Sequence, residues 1–205
     1  MQPIRPVLFA LVLSLMSGCG ALNAISDAST PMEAYTLSPV GAGTTAAPGT
    51  RHLVVELPSS AGALASDRIL IKPVPFQAQY LPDGNWSEPA PALVQSLLVT
   101  SFQNTGGFRL VGRTGAGLMP DYTLMTELQE FHAEPTGTSP APLTIRISVM
   151  MTLIRESDQH IAASRRFTAT AVAPSDDTNT LVRGFDSAMQ TILHEAVTWT
   201  RAQVR

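Results

Sequence analysis

From position 143 to 153 every second residue is apolar. Leu143, Ile145, Ile147, Val149, Met151 and Leu153 alternate with Thr144, Arg146, Ser148, Met150 and Thr152. An extended chain sends successive side chains to opposite faces, so six apolar positions at period two dictate a long strand with one buried face. On a helix the same residues would scatter round the circumference. Such a strand needs partners at its edges and a cover over its apolar face. Both are present in the sequence. Tyr122, Leu124, Thr126 and Leu128 share one face of a strand over 121–131, and Ala163, Arg165, Phe167 and Ala169 share one face of a strand over 160–172. Polar segments at 134–142 and 156–159 join the three, which predicts an antiparallel meander.

Two helical patterns supply the cover. Leu93, Val94, Leu97, Leu98 and Phe102 recur at helical spacing. Ahead of them, Ser87 suits a cap, Glu88 suits the positive helix end and Pro89 fits the first turn, while Gly106-Gly107 stops the helix. The second stripe is Leu181, Phe185, Ala188, Met189, Ile192, Ala196 and Trp199, preceded by Asp176, Asp177 and Thr178 and ended near Arg201 and Arg205. Shorter strands are expected at 34–38, 52–57, 68–72, 76–81 and 108–112. Pro82-Asp83-Gly84 reads as a turn, and the uncharged segment 39–50 as a flexible loop. The expected fold is therefore α+β: a single domain over 34–205, with an antiparallel sheet packed against two amphipathic helices.

The first residues read as an export signal. Arg5 precedes an 11-residue apolar run, 7–17. That is about half the roughly 20 residues a spanning helix needs, and it matches a signal h-region. Met16-Ser17-Gly18-Cys19 resembles a bacterial lipobox, with Met16 where Leu is usual, and Cys19 is the one cysteine of the chain. The resemblance implies cleavage before Cys19 and a diacylglyceryl group on its sulfur, whose two acyl chains suffice for stable attachment to a membrane. The expected division is a signal peptide over 1–18, a lipidated tether over 19–33 and a folded domain over 34–205. Gly20, in place of Asp, implies the periplasmic face of the outer membrane.

Chemistry is harder to find. Charged residues make up 14% of the chain and the net charge is −3, with no basic stripe, so nucleic acid is not expected as a partner. His52, His132, His160 and His194 show no metal spacing, and His194-Glu195 lacks a second His four positions on. No GxSxG and no phosphate loop occur. Glu127 and Glu130, three apart on an expected strand, should point to opposite faces. The reading is a non-enzymatic protein without metal or cofactor. Met125, Met150 and Ile154 lie on the second face of the meander, which predicts partial cover by a helix or by another subunit in a homo-oligomer.

The stretch Tyr80-Leu81-Pro82-Asp83-Gly84-Asn85-Trp86-Ser87-Glu88-Pro89 resembles the auxiliary lipoproteins of ABC-type transport systems, the PqiC-like group. Other features agree in order: Tyr35-Thr36-Leu37, Arg68-Ile69, Gly106-Gly107-Phe108 leading to Val111, Asp121-Tyr122 and Phe131. The resemblance implies an accessory protein of an MCE-type system that moves lipid between inner and outer membranes. It would dock on a periplasm-spanning MCE-domain protein that works with an ABC permease and ATPase. Tyr80, Trp86, Glu88 and Pro89 are the candidate docking residues. Trp86 also admits a plain packing role against the helix it introduces. The alternative function is an outer-membrane assembly factor for a β-barrel, of the lipopolysaccharide-export or secretin-pilot type.

Overall fold

In the computed structural model the described residues are 32–204, apart from 42, 44, 45, 116, 118 and 138–141. The signal, the lipobox and most of the tether lie outside them, including Met16, Ser17, Gly18 and Cys19. The elements run β1 (Glu33–Tyr35), β2 (His52–Val55), β3 (Ser59–Ser60), a 3-10 turn (Gly62–Leu64), β4 (Arg68–Ile71), β5 (Gln79–Trp86), α1 (Ala90–Thr105), β6 (Leu110–Arg113), β7 (Tyr122–Pro135), β8 (Leu143–Arg155), β9 (His160–Ala173) and α2 (Thr178–Gln203).

Among the described residues the strands form one nine-stranded sheet, and β7 organises it. Along one edge β7 pairs antiparallel with β8 from Tyr122↔Arg155 to Pro135↔Leu143, and β8 pairs likewise with β9. Along the other edge β2, β3 and β4 lie end to end, all parallel to it, at Leu53↔Tyr122, Ser59↔Glu127 and Ile71↔Ala133. The meander therefore forms as expected, but the whole sheet is mixed. β6 extends it beside β2, and β5 and β1 extend it beside β4.

Both helices cover one face. α2 lies over β8 and β9 and touches α1, which covers β2 and β6. Asp177 caps α2 by accepting the Thr180 N–H at 3.0 Å. The predicted stripe is buried from Leu181 to Ala196, and its last member, Trp199, is half-buried. Gly184 on this stripe lets α2 settle on β8, since a Cβ there would lie 2.9 Å from Ile145 Cγ1. α1 starts at Ala90, later than expected, with Pro89 at its N-cap and no side-chain cap. Ser87 instead donates its backbone N–H to the Tyr35 carbonyl at 2.7 Å.

Three local expectations are corrected. First, Pro82-Asp83-Gly84 does not end a strand. β5 runs through it, and Leu81–Gly84 stand opposite Ile69 alone, between the pairs Leu70↔Tyr80 and Arg68↔Asn85. The excursion brings Gly84 against Tyr35 and Thr178, where a Cβ would come within 2.9 Å of both. Second, Glu127 and Glu130 lie on the same face. A bulge at Gln129 shifts the register, so Leu128 opposes Val149 while Glu127 and Glu130 oppose Met150 and Ser148. Third, the segment after β1 is packed down. Leu37 and Val40 are buried. Val40 N–H donates to Ser101 Oγ at 3.0 Å, Asn104 Nδ2 donates to the Val40 carbonyl at 2.8 Å, and Ser38 N–H donates to Asp186 Oδ1 at 2.7 Å. This strap is bonded to both α1 and α2.

Candidate functional site

The residues singled out as docking candidates surround the corner where β5 passes into α1. Trp86 ends β5 on the helix-covered face and is 2% exposed. Its ring centroid lies 5.4 Å from that of Phe131 on β7 and 5.2 Å from that of Phe185 on α2, and those two rings are 5.0 Å apart. Three aromatic rings from strand, strand and helix thus close the centre of the core. The packing role of Trp86 is the realised one, and as a docking residue it is corrected: its indole is not offered to a partner.

Tyr80 belongs elsewhere. It opposes Leu70 on the sheet face turned away from the helices, and it is 38% exposed. The Arg68 guanidinium stands 5.5 Å from its ring centroid, and its hydroxyl donates to the Ala63 carbonyl at 3.2 Å. Tyr80 and Trp86 are therefore on opposite faces and do not form one patch. Glu88 and Pro89 lie at the start of α1, where Pro89 is exposed. Glu88 Oε1 accepts from Ser96 Oγ at 2.9 Å, and Arg113 Nη2 on β6 donates to the same Ser96 oxygen at 2.8 Å. Glu88, Ser96 and Arg113 make a polar chain along the flank of α1. Sequence reasoning missed Arg113, because the pairing of β6 with β2 that brings it there has no local signal.

Two further polar clusters carry shifted titrations. On the face away from the helices, His132 is buried, with Nε2 3.5 Å from Glu134 Oε2. Arg146 pairs with the same Glu134. Burial holds the His132 imidazole below its ordinary value, and Lys72 adds to this against the pull of Glu134 and Glu130. The Arg146 hydrogen bond holds the Glu134 carboxyl below the usual range. At the other end of β7, Asp121 accepts the His52 N–H at 2.8 Å and pairs with Arg51 at 3.1 Å. The backbone hydrogen bond leads in lowering its titration.

Two surface clefts border these elements. One, of about 440 Å³, runs beside Trp199 between Arg165 on β9 and His194, Glu195 and Thr198 on α2. The other, of about 470 Å³, lies over Asp121 between Arg51 and Arg155. Among the described residues, no three of His, Cys, Asp and Glu cluster as metal ligands, and no helix is long and apolar enough to cross a membrane.

Comparison with known proteins gives the class. The family described as "ABC-type transport auxiliary lipoprotein component" matches residues 35–197, and the chain belongs to that family. It is similar to the crystal structure of protein XCC0632 from Xanthomonas campestris, at 27% identity and a TM-score of 0.74, covering 85% of this chain and 96% of that one. An uncharacterized protein of known structure shares the fold at 18% identity and a TM-score of 0.60, covering 81% and 99% of the two chains. The uncharacterized protein bll6063 of Bradyrhizobium diazoefficiens is 24% identical over 151 residues, 72% of this chain and 39% of that protein. The chain thus spans well under half the length of this curated relative.

Proposed function

We infer that the protein is a non-enzymatic, lipid-anchored accessory component of an MCE-type ABC system that moves lipid between the inner and outer membranes. Cys19 carries the acyl chains, the domain stands on the periplasmic face of the outer membrane, and it docks on the periplasm-spanning MCE-domain protein. The observation that carries the reading is the family match across nearly all of the folded domain, 35–197. Exposed Pro89 and Arg113 beside half-buried Glu88, with Tyr80 on the other face, supply polar and aromatic groups of the kind that interfaces use.

The test is capture of partners. The full-length chain with a C-terminal tag is expressed in its own host, crosslinked lightly and solubilised in mild detergent. Recovery of an MCE-domain protein with its permease or ATPase is the expected outcome. Recovery of an outer-membrane β-barrel without them would assign the chain to barrel assembly instead.

A further inference from the structure

The loop between β4 and β5 runs from Lys72 to Ala78, and the six residues after Lys72, Pro73-Val74-Pro75-Phe76-Gln77-Ala78, carry no charge. Phe76 at its tip is fully exposed, and Val74 is 53% exposed. Phe76 also takes φ +68°, a left-handed conformation that bulky side chains avoid. The Gln77 N–H closes the turn on the Val74 carbonyl at 3.2 Å, and the two prolines stiffen the chain on either side of Val74. The loop is thus a rigid projection that holds an apolar ring out in water. Strain kept at such a place marks a functional segment.

Its direction says what it meets. β4 and β5 are antiparallel, so the loop projects from the end of the sheet where β4 finishes. β1 is parallel to β5, with Ala34 level with Asn85 and Asn85 opposite Arg68. The chain therefore enters β1 at Glu33 from the loop's end of the sheet. Only about 10 Å of strand separates the level of Ala34 from Ile71 at the loop's base. Residues 20–32 precede that entry point and span at most roughly 45 Å. Chain length alone does not set which end of the domain faces the lipid. A second contact at the entry end fixes which end faces the lipid. Charge narrows the surface further. Lys72 stands at the base of the loop, while Glu33, Asp176, Asp177 and the Glu134–Arg146 pair lie toward the same end of the sheet. That excess of acid disfavours anionic headgroups and leaves a zwitterionic layer as the fit.

We propose that residues 73–78 form a finger that inserts Phe76 and Val74 into a zwitterionic lipid surface. The proposal rests on the reading of Cys19 as the acylated residue, and the experiment separates the two. Full-length protein is purified from its membrane and reconstituted in phosphatidylcholine vesicles. The wild-type chain is first treated, unfolded, with a thiol-reactive fluorophore, which an acylated Cys19 does not accept. An environment-sensitive fluorophore is then placed by Gln77→Cys, which leaves Phe76 in place, or by Ser157→Cys in the exposed turn at the opposite end of the sheet. At position 77 the emission moves to shorter wavelength, and nitroxide-bearing lipid quenches it at least twofold more than at 157. Adding Phe76→Ser to Gln77→Cys abolishes both effects. Water-like, unquenched emission at 77 overturns the proposal and leaves the loop to a protein partner. If the wild-type chain takes up label, the acyl reading fails by itself. The finger is then judged on a Cys19→Ser background at saturating lipid, where a shift at 77 supports it and none overturns it.

Discussion

Arg201, in the last turn of α2, donates to the carbonyl of Gly106 at the end of α1, from Nε at 3.1 Å and from Nη2 at 2.7 Å. Nη2 also reaches the Thr105 carbonyl. The final carbonyls of a helix have no partner within it, and a cation is favoured there. One side chain therefore satisfies the end of α1 and ties the two helices together. Gly106 and Gly107 both take positive φ, and a Cβ on Gly107 would lie 2.8 Å from Arg201 Nε. Arg201→Met keeps the stem and removes the donors. The expected loss is about 2 kcal/mol, a fall of roughly 4–8 °C in Tm for a domain of this size. Circular-dichroism melting checks it, and a variant melting within a degree of wild type would show that the tie carries no weight.

Trp86→Ala should be the most damaging single change at the β5–α1 corner. It removes a fully enclosed ring that touches Phe131 and Phe185, at a cost of about 3–5 kcal/mol. Trp86→Phe should cost far less, because the buried Nε1–H has no hydrogen-bond partner to lose. Denaturant midpoints for the pair give the comparison. A Trp86→Ala chain as stable as wild type, yet unable to bind its partner, would reverse the packing assignment.

Gly184→Ala poses helix propensity against packing. Replacing a mid-helix glycine gains about 1 kcal/mol. Here the new methyl meets Ile145 Cγ1 at 2.9 Å, and overpacking costs about 1–3 kcal/mol. The variant should be net destabilised, and less so on an Ile145→Ala background. A double-mutant cycle with no coupling between the two sites would contradict the contact.

Stability should fall on acidification in two stages. The His132 value is lowered in the folded state, so the unfolded chain binds the proton first as pH drops below about 6.5. Folding is therefore weakened from that point downward. Asp121 and Glu134 are also lowered, by the His52 N–H and by Arg146. Their stabilisation is present above the ordinary carboxylate range and is lost as pH falls through that range to the folded values. The groups facing His132 are Glu134, Glu130, Lys72 and Arg146. Melting curves from pH 8 to pH 3 should show the first stage vanish in His132→Gln and the second persist. An unchanged first stage in that variant would assign it to another group.

What could be read in advance follows the range of the interaction. The meander and both helices are legible, because period two and helical spacing are written in neighbouring residues. Gly106-Gly107 and Asp177 mark helix ends by local backbone needs, and they do so in the structure. The parallel pairing of β2, β3 and β4 with β7 is not legible, since partners so far apart along the chain leave no mark on one another. The bulge at Gln129 has no local signature, and it reverses the expected placement of Glu127 and Glu130. Pro82-Asp83-Gly84 carries genuine turn chemistry, yet it forms an excursion inside β5, held by the pairing of Tyr80 and Asn85 with β4 and of Gly84 with β1. The segment 39–50 looks loose by composition, but Val40 finds Ser101 and Asn104. At the candidate site a packing role for Trp86 is legible, but its partners Phe131 and Phe185 are not, because they come from distant elements.

The placement of β7 also orders events in time. A chain made from its N-terminus presents β2, β3 and β4 long before the strand that receives them exists. Until residue 135 has emerged, β2 can pair only with β6 and β4 only with β5, and the edges that β7 later takes are open to other chains. Closing those long loops makes assembly slow, on the order of milliseconds to seconds. The nascent first half therefore depends on being kept apart from its copies, and fragments ending before β7 should be recovered only as aggregates.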